Sequence, residues 1–230
     1  MTPTTIILTV IILLLVYVLY AYITGTVTKL TESTSLTVVN PPIADLAGAR
    51  NTRYGYTIWV YVNSWDNNAE KIIFKRENNI RVYLDKNSPT LKVALAMNKM
   101  NAENNAYVME DMIVTKNFPL QKWVCVSVSV DNQFVDAYLD GKLVKSHRFY
   151  DNGAMPIVPP DATSAPLHLG TGFDAFISEF KRSTVPIDPE TAWNTYLEGN
   201  GTNAVSRAFS SYGIDVAVLK NNVKQTSFSF

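Results

Sequence analysis

The chain holds one thiol, Cys125, and two imidazoles, His147 and His168. A nucleophile–base pair needs thiol and ring nitrogen within hydrogen-bond reach. Cys125 falls in Trp123–Val130, where Val124, Val126, Val128 and Val130 share one face of a strand and Cys125, Ser127 and Ser129 the other. A small side chain there packs rather than reacts. A single cysteine also excludes an intrachain disulfide and a cysteine-based zinc site. Among carboxylates, Glu110-Asp111 are adjacent, and Asp174 and Glu179 lie five apart. Both spacings send the side chains to opposite faces of a strand. Gly170-Thr171-Gly172 matches neither nucleotide fingerprint. Asp131, Asp140, Asp151 and Asp174 sit in turn sequences. They are the acids through which calcium would bind, although acids in turns commonly serve turn geometry. The expectation is no catalytic residue, no metal ligand set and no cofactor, with calcium the one ion left open. Trp65, in Asn63-Ser64-Trp65-Asp66, is the only tryptophan in an obvious turn. It is therefore the expected contact, by stacking on a sugar or meeting a protein, whereas Trp59 and Trp123 stand at core-typical positions.

These residues must be positioned by a chain of 230 residues with 20 basic and 20 acidic side chains. Zero net charge argues against nucleic acid as partner. The basic clusters Lys71…Lys75-Arg76 and Lys142…Lys145…Arg148 have acids nearby and read as solvated sheet faces. No charge precedes Lys29. Ile6 to Ile23 reads IILTVIILLLVYVLYAYI, thirteen of its residues being Leu, Ile or Val. As a helix it spans ~27 Å, close to a bilayer core, and those residues contribute roughly −4 to −8 kcal/mol of insertion. A cleaved signal peptide would want a basic start and an A-x-A-like site, and neither is present. Residues 1–25 are thus expected to be a single transmembrane anchor, with Ile6, Ile12, Leu15, Leu19 and Ile23 spanning the bilayer. Lys29 follows the run, which places the large part on the cytoplasmic side, and a lone thiol suits a reducing compartment. The sequon Asn200-Gly201-Thr202 is no sign of secretion, since chance alone would supply such triplets.

Residues 26–50 are rich in Thr, Ser and Pro and read as an extended linker, with one edge strand at Ser35–Val39. Beyond them the hydrophobic period becomes two. Strands are predicted at Tyr54–Val62, Lys71–Phe74, Ile80–Leu84, Leu91–Met97, Trp123–Val130, Phe134–Leu139 and Lys142–Phe149, the last two joined by an Asp140-Gly141 hairpin turn. Asp188 as N-cap, Pro189 in the first turn and Gly199 at the close predict a helix. Its stripe Trp193, Tyr196 and Leu197 should pack on the sheets. A final hairpin, Ile214–Leu219 and Val223–Phe230, turns at Asn221-Asn222. The fold class is all-β: residues 51–230 form an antiparallel sandwich with one short helix and this hairpin.

Trp123 opening a valine-alternating strand, followed by Phe134-Val-Asp-Ala-Tyr138-Leu-Asp140-Gly141-Lys142, resembles the signature of concanavalin A-like (laminin-G-type) lectin/glucanase domains. Tyr56-Thr-Ile-Trp59, Leu167-His-Leu-Gly170 to Phe180 and the helix ending Tyr196-Leu-Glu-Gly199 agree with it. The resemblance implies a jelly-roll sandwich with Trp59, Trp123, Tyr138, Asp140 and Gly141 as fold-signature residues. It implies no activity, because glucanases of this fold carry Glu-x-Asp-x-x-Glu on one strand and this chain has no such motif. The anchor, this domain and the tail Tyr212–Leu219 together look similar to membrane-anchored structural proteins of large icosahedral algal DNA viruses. That second resemblance implies a minor capsid protein at the junction of capsid shell and internal membrane. Its partners would be the lipid bilayer and other capsid or membrane proteins, with no small-molecule substrate. The alternative is a membrane-anchored lectin-like module that binds glycan or protein.

Overall fold

A computed structural model describes residues 10–17, 25–103, 105–201 and, as backbone, 215–220 and 223–229. Two antiparallel sheets face each other. The first has six strands in the order β1 (Val27–Ser35), β11 (Ala175–Ser183), β2 (Arg53–Val62), β7 (Trp123–Asp131), β8 (Phe134–Leu139) and β9 (Lys142–Arg148). The second orders β10 (Leu167–Leu169), β3 (Lys71–Arg76), β4 (Ile80–Leu84), β5 (Leu91–Met100) and β6 (Tyr107–Thr115). The period-two pattern builds the core between them: Ile58, Val60 and Val62 of β2 and Val124, Val126 and Val128 of β7 meet Phe74, Val82, Val93 and Leu95. β12 (Asp215–Lys220) and β13 (Val223–Ser229) pair as a separate two-stranded sheet, the expected terminal hairpin, and Asn221-Asn222 lie outside the described residues.

Residues 26–50 are not a free linker. Val27–Ser35 is an edge strand paired along β11, and Leu36 is fully buried in the core. The edge strand therefore lies N-terminal to the expected Ser35–Val39. It escapes a period search because an edge strand buries little and reads polar (VTKLTESTS). β6 was also unforeseen, since Glu110-Asp111 interrupts its apolar alternation.

Helix α1 covers residues 10–17, and every side chain in it is exposed, Ile12 and Leu15 included. Ile6, Leu19 and Ile23 fall outside the described residues. Among the described residues no helix is long and apolar enough to cross a membrane. Helix α2 (Pro189–Glu198) starts as its sequence dictates, with Asp188 Oδ1 accepting from Thr191 N at 2.7 Å. Its buried face differs from the expected stripe. Ala192 is the residue fully buried, Tyr196 is half-buried, and Trp193 (41% exposed) and Leu197 (58%) face outward. A small side chain at the contact lets the helix lie close on the sheet, and the larger ones ride over its rim.

The first basic cluster is also not a solvated face. Lys71 and Arg76 are buried, Lys71 against Asp66 at 2.8 Å, whereas Lys142 and Lys145 on β9 are exposed as expected.

Candidate functional site

The outer face of the six-stranded sheet carries the odd-numbered side chains of β2 and β7. Nearest α2, Trp59 lies under Tyr196, their rings 5.6 Å apart and nearly parallel, and Cys125 pairs in register with Trp59. Tyr138 donates its hydroxyl to Ile187 O at 3.2 Å. Asp140 Oδ1 accepts from Cys125 N at 2.9 Å, closing the end of β7. Gly141 stands at φ 75°, and a Cβ there would meet Trp193 at 2.9 Å. The signature residues Trp59, Tyr138 and Gly141 thus seat α2 and the segment leading into it, whereas Asp140 fastens the β8–β9 turn to the start of β7.

Beyond the reach of α2 the same face is open. The register Ser35↔Phe176↔Tyr61↔Trp123 sets three aromatic residues side by side across β11, β2 and β7. Tyr61 and Trp123 rings are 5.6 Å apart, both half-buried, and Phe176 is 41% exposed. Trp123 is therefore not a core residue, because its strand register turns it outward.

Trp123 also walls a groove of about 330 Å³ with Lys29, Glu32, Ser178, Glu179 and Asn200. The groove exists because β11 shifts register after Ser178, leaving Glu179 at φ 49° with its carboxylate against Lys29 at 2.7 Å. That hydrogen bond holds the Lys29 ammonium above its usual pKa. The row and groove offer π-faces beside paired charges, a surface for stacking and hydrogen bonding.

The residue pairs weighed for catalysis are not assembled. Burial pushes the Cys125 thiol up to about 12. His168 is on the other sheet, and His147 packs edge-on against Phe149 with Glu110 at 3.7 Å. Asp111 accepts from Tyr83 Oη, whereas Asp174 accepts from Asn63 and Ser64. Of the other loop acids, Asp131 holds Arg53, and Asp151 holds Lys99. Each is held by a partner from a different part of the chain, and among the described residues no three His, Cys, Asp or Glu gather as a metal ligand set. Trp65, the expected contact, is half-buried against the core. Its Nε1 donates to Asn67, and Lys71 lies over the ring at 4.8 Å. The aromatic row was not foreseen. Its signal was three aromatics at outward strand positions, but the order β11-β2-β7 that aligns them is long-range.

No curated protein matches the chain. Among solved structures, the botulinum neurotoxin serotype D ligand-binding domain in complex with N-acetylneuraminic acid is similar with a TM-score of 0.51 and 14% identity, over 75% of this chain and 43% of that one. The receptor-binding domain of the mosaic serotype C/D toxin, with tetraethylene glycol bound, is similar at 0.52 and 13%, over 73% and 46%. The chain spans less than half the length of these proteins, and at such identity the likeness is one of fold. The family described as concanavalin A-like lectin/glucanases superfamily, of the laminin-G type, matches residues 32–204. With the two sheets, the helix they carry and the Trp…Tyr-x-Asp-Gly motif, the chain belongs to that superfamily.

Proposed function

We propose that the chain is a non-enzymatic, membrane-anchored structural protein, with residues 1–25 in a bilayer and the sandwich engaging other protein subunits through the Phe176–Tyr61–Trp123 row. A minor capsid protein joining a viral shell to its internal membrane is the form this takes, with the sandwich on the capsid (cytoplasmic) side. The observation that carries the reading is the position of the row. β1 leaves the apolar leader at Val27, and the row sits at the register of Ser35, the opposite end of the same strand. At ~3.3 Å per residue these ends are about 26 Å apart. With the leader in a bilayer, as proposed, the first end would face the lipid and the second a coat. Support also comes from α1, whose apolar side chains are exposed all round, as a helix meeting lipid would be.

Fractionation of purified particles tests this. The full chain is expected to travel with lipid and coat and to need detergent for release. Deleting residues 1–25 is expected to give a soluble β-rich monomer that fails to incorporate. Normal incorporation of that variant would refute the tether.

A second reading, a lectin-like module, is favoured by Trp123 forming a wall of the groove with Glu32, Glu179 and Asn200, a ring flanked by hydrogen-bonding groups as sugar sites are. Sialic acid, bound by the serotype D toxin domain, is the first sugar to try. A glycan-array signal lost in Trp123→Ala would support this reading, and no signal on full-length protein would remove it.

A further inference from the structure

At the end of the sandwich where β1 begins, a cavity of about 180 Å³ opens between the sheets. Its walls are mostly apolar: Leu95, Val130, Met155, Pro156, Ile157 and the ring of Tyr54 are among them. Asn79, in the β3–β4 turn, also lines it. Asn79 is 4% exposed, and its amide donates from Nδ2 to Tyr54 Oη at 2.9 Å. The backbone groups of Asn79 are both paired, N to Arg76 O and O to Ala96 N. The other end of the side-chain amide, Oδ1, is buried with no hydrogen-bond partner. Reversing the amide would satisfy it from Tyr54 and leave Nδ2 without a partner instead, so one end of the amide lacks a partner in either orientation. Buried polar groups are nearly always paired, and an exception calls for an occupant.

We propose that this cavity binds a small molecule of single-ring size that carries one hydroxyl or amine, the ring among the apolar walls and the polar group on the Asn79 amide. Size favours this over a lone water. A cavity of about 150 Å³ accepts benzene, whereas one water takes about 30 Å³. Phenol is the fitting probe, because its hydroxyl both donates and accepts and so pairs with either amide orientation.

The full chain in lipid nanodiscs, labelled at the methyl groups of Met155, Ile157, Leu95 and Val130, is dialysed against fixed free concentrations of phenol or of its near-isostere toluene. Partition into lipid then drops out of the comparison. Saturable shifts confined to these methyls are expected with phenol. In Asn79→Leu the phenol-to-toluene affinity ratio should fall about fivefold, the loss of one net hydrogen bond. Ile157→Trp fills the mouth from a loop position whose backbone bond to Ala96 O does not depend on the side chain, and it should abolish both ligands' shifts while the fold persists. That arm decides the question even where Asn79→Leu does not fold. No saturable shift in the unaltered protein, or shifts that survive Ile157→Trp, would overturn the proposal and leave a cavity filled by water alone. An unchanged ratio in a folded Asn79→Leu would also overturn it.

Discussion

Arg76 and Arg182 are both fully buried, and among the described residues neither guanidinium forms a salt bridge, although Asp161 is near enough to Arg76 to favour its charge. Arg182 instead donates to Ala47 O, Gly48 O and Tyr56 Oη, with its guanidinium carbon 4.8 and 4.9 Å from the rings of Tyr54 and Tyr56. Arg76 donates to Ala49 O, Ala165 O and Pro160 O. Two buried cations thereby pin the 47–49 and 160–165 loops through backbone carbonyls, which carry no sequence signature. That is why Arg76 looked like part of a charged surface. Burial raises the pKa of Tyr54 and Tyr56 above their ordinary 10.0, and that of Cys125 from 9.0 to about 12. For groups raised in the folded state, the unfolded chain releases its protons first. Their contribution to stability is therefore complete below pH ~9 and is lost as pH rises through the folded values. The urea midpoint is expected to be flat from pH 7 to about 9 and to fall steeply beyond about 10. A midpoint still flat at pH 11 would contradict the burial of these groups. Cys125 should likewise resist a thiol reagent at pH 8 until the protein is unfolded.

At the scale of elements, strand existence was legible where β-branched and aromatic residues run together or alternate with small polar ones. β2, β4, β7 and β8 begin or end within a residue of their expected bounds. The cap Asp188 and the turn Asp140-Gly141 were equally plain, because each is a local chemical device. What the alternation hid is the edge strands β1, β6 and β10, and also the interior β11, whose period the register shift after Ser178 breaks. β1 and β6 terminate the two sheets, and edge strands tolerate the charged and hydroxylated residues that disguise them. This has a consequence for where the domain begins. A chain starting at Val27 keeps the whole β1–β11 ladder and should fold. A chain starting at Thr37 loses that ladder and buried Leu36, and it exposes β11 as a raw edge. Loss of one buried leucine alone costs about 2–5 kcal/mol. The shorter chain is expected to aggregate or to lose much of its urea resistance, while the longer one remains a monomer by light scattering. Equal stability of the two would show that β1 is dispensable.

For the molecule as a whole, the antiparallel register fixes a polarity. Val27, Ser183, Gly55 and Ser129 align at one end of the six-stranded sheet, and Ser35, Phe176, Tyr61 and Trp123 at the other. The ring-sized cavity, lined by Thr52, Asn132 and Gln133, lies at the first end, and the aromatic row lies at the second. Thr24, Gly25 and Thr26 alone separate the apolar run from β1, a reach of at most about 14 Å. On the membrane-anchored reading, the row is then the part of the sheet that points away from lipid, and the two functions separate cleanly by mutation. Phe176→Ser with Trp123→Ala removes aromatic surface that is at least partly solvent-exposed, so folding and membrane retention should survive. Partner association should fall about thirtyfold or more, as when central aromatic anchors of an interface are truncated. Deleting residues 1–25 should do the reverse, abolishing membrane retention while leaving the affinity of the soluble sandwich for its isolated partner unchanged. Measuring both quantities on both variants decides the matter. A row variant that binds its partner as the unaltered chain does would move the contact elsewhere on the sandwich, the exposed Trp193–Leu197 ridge of α2 being the next surface to mutate.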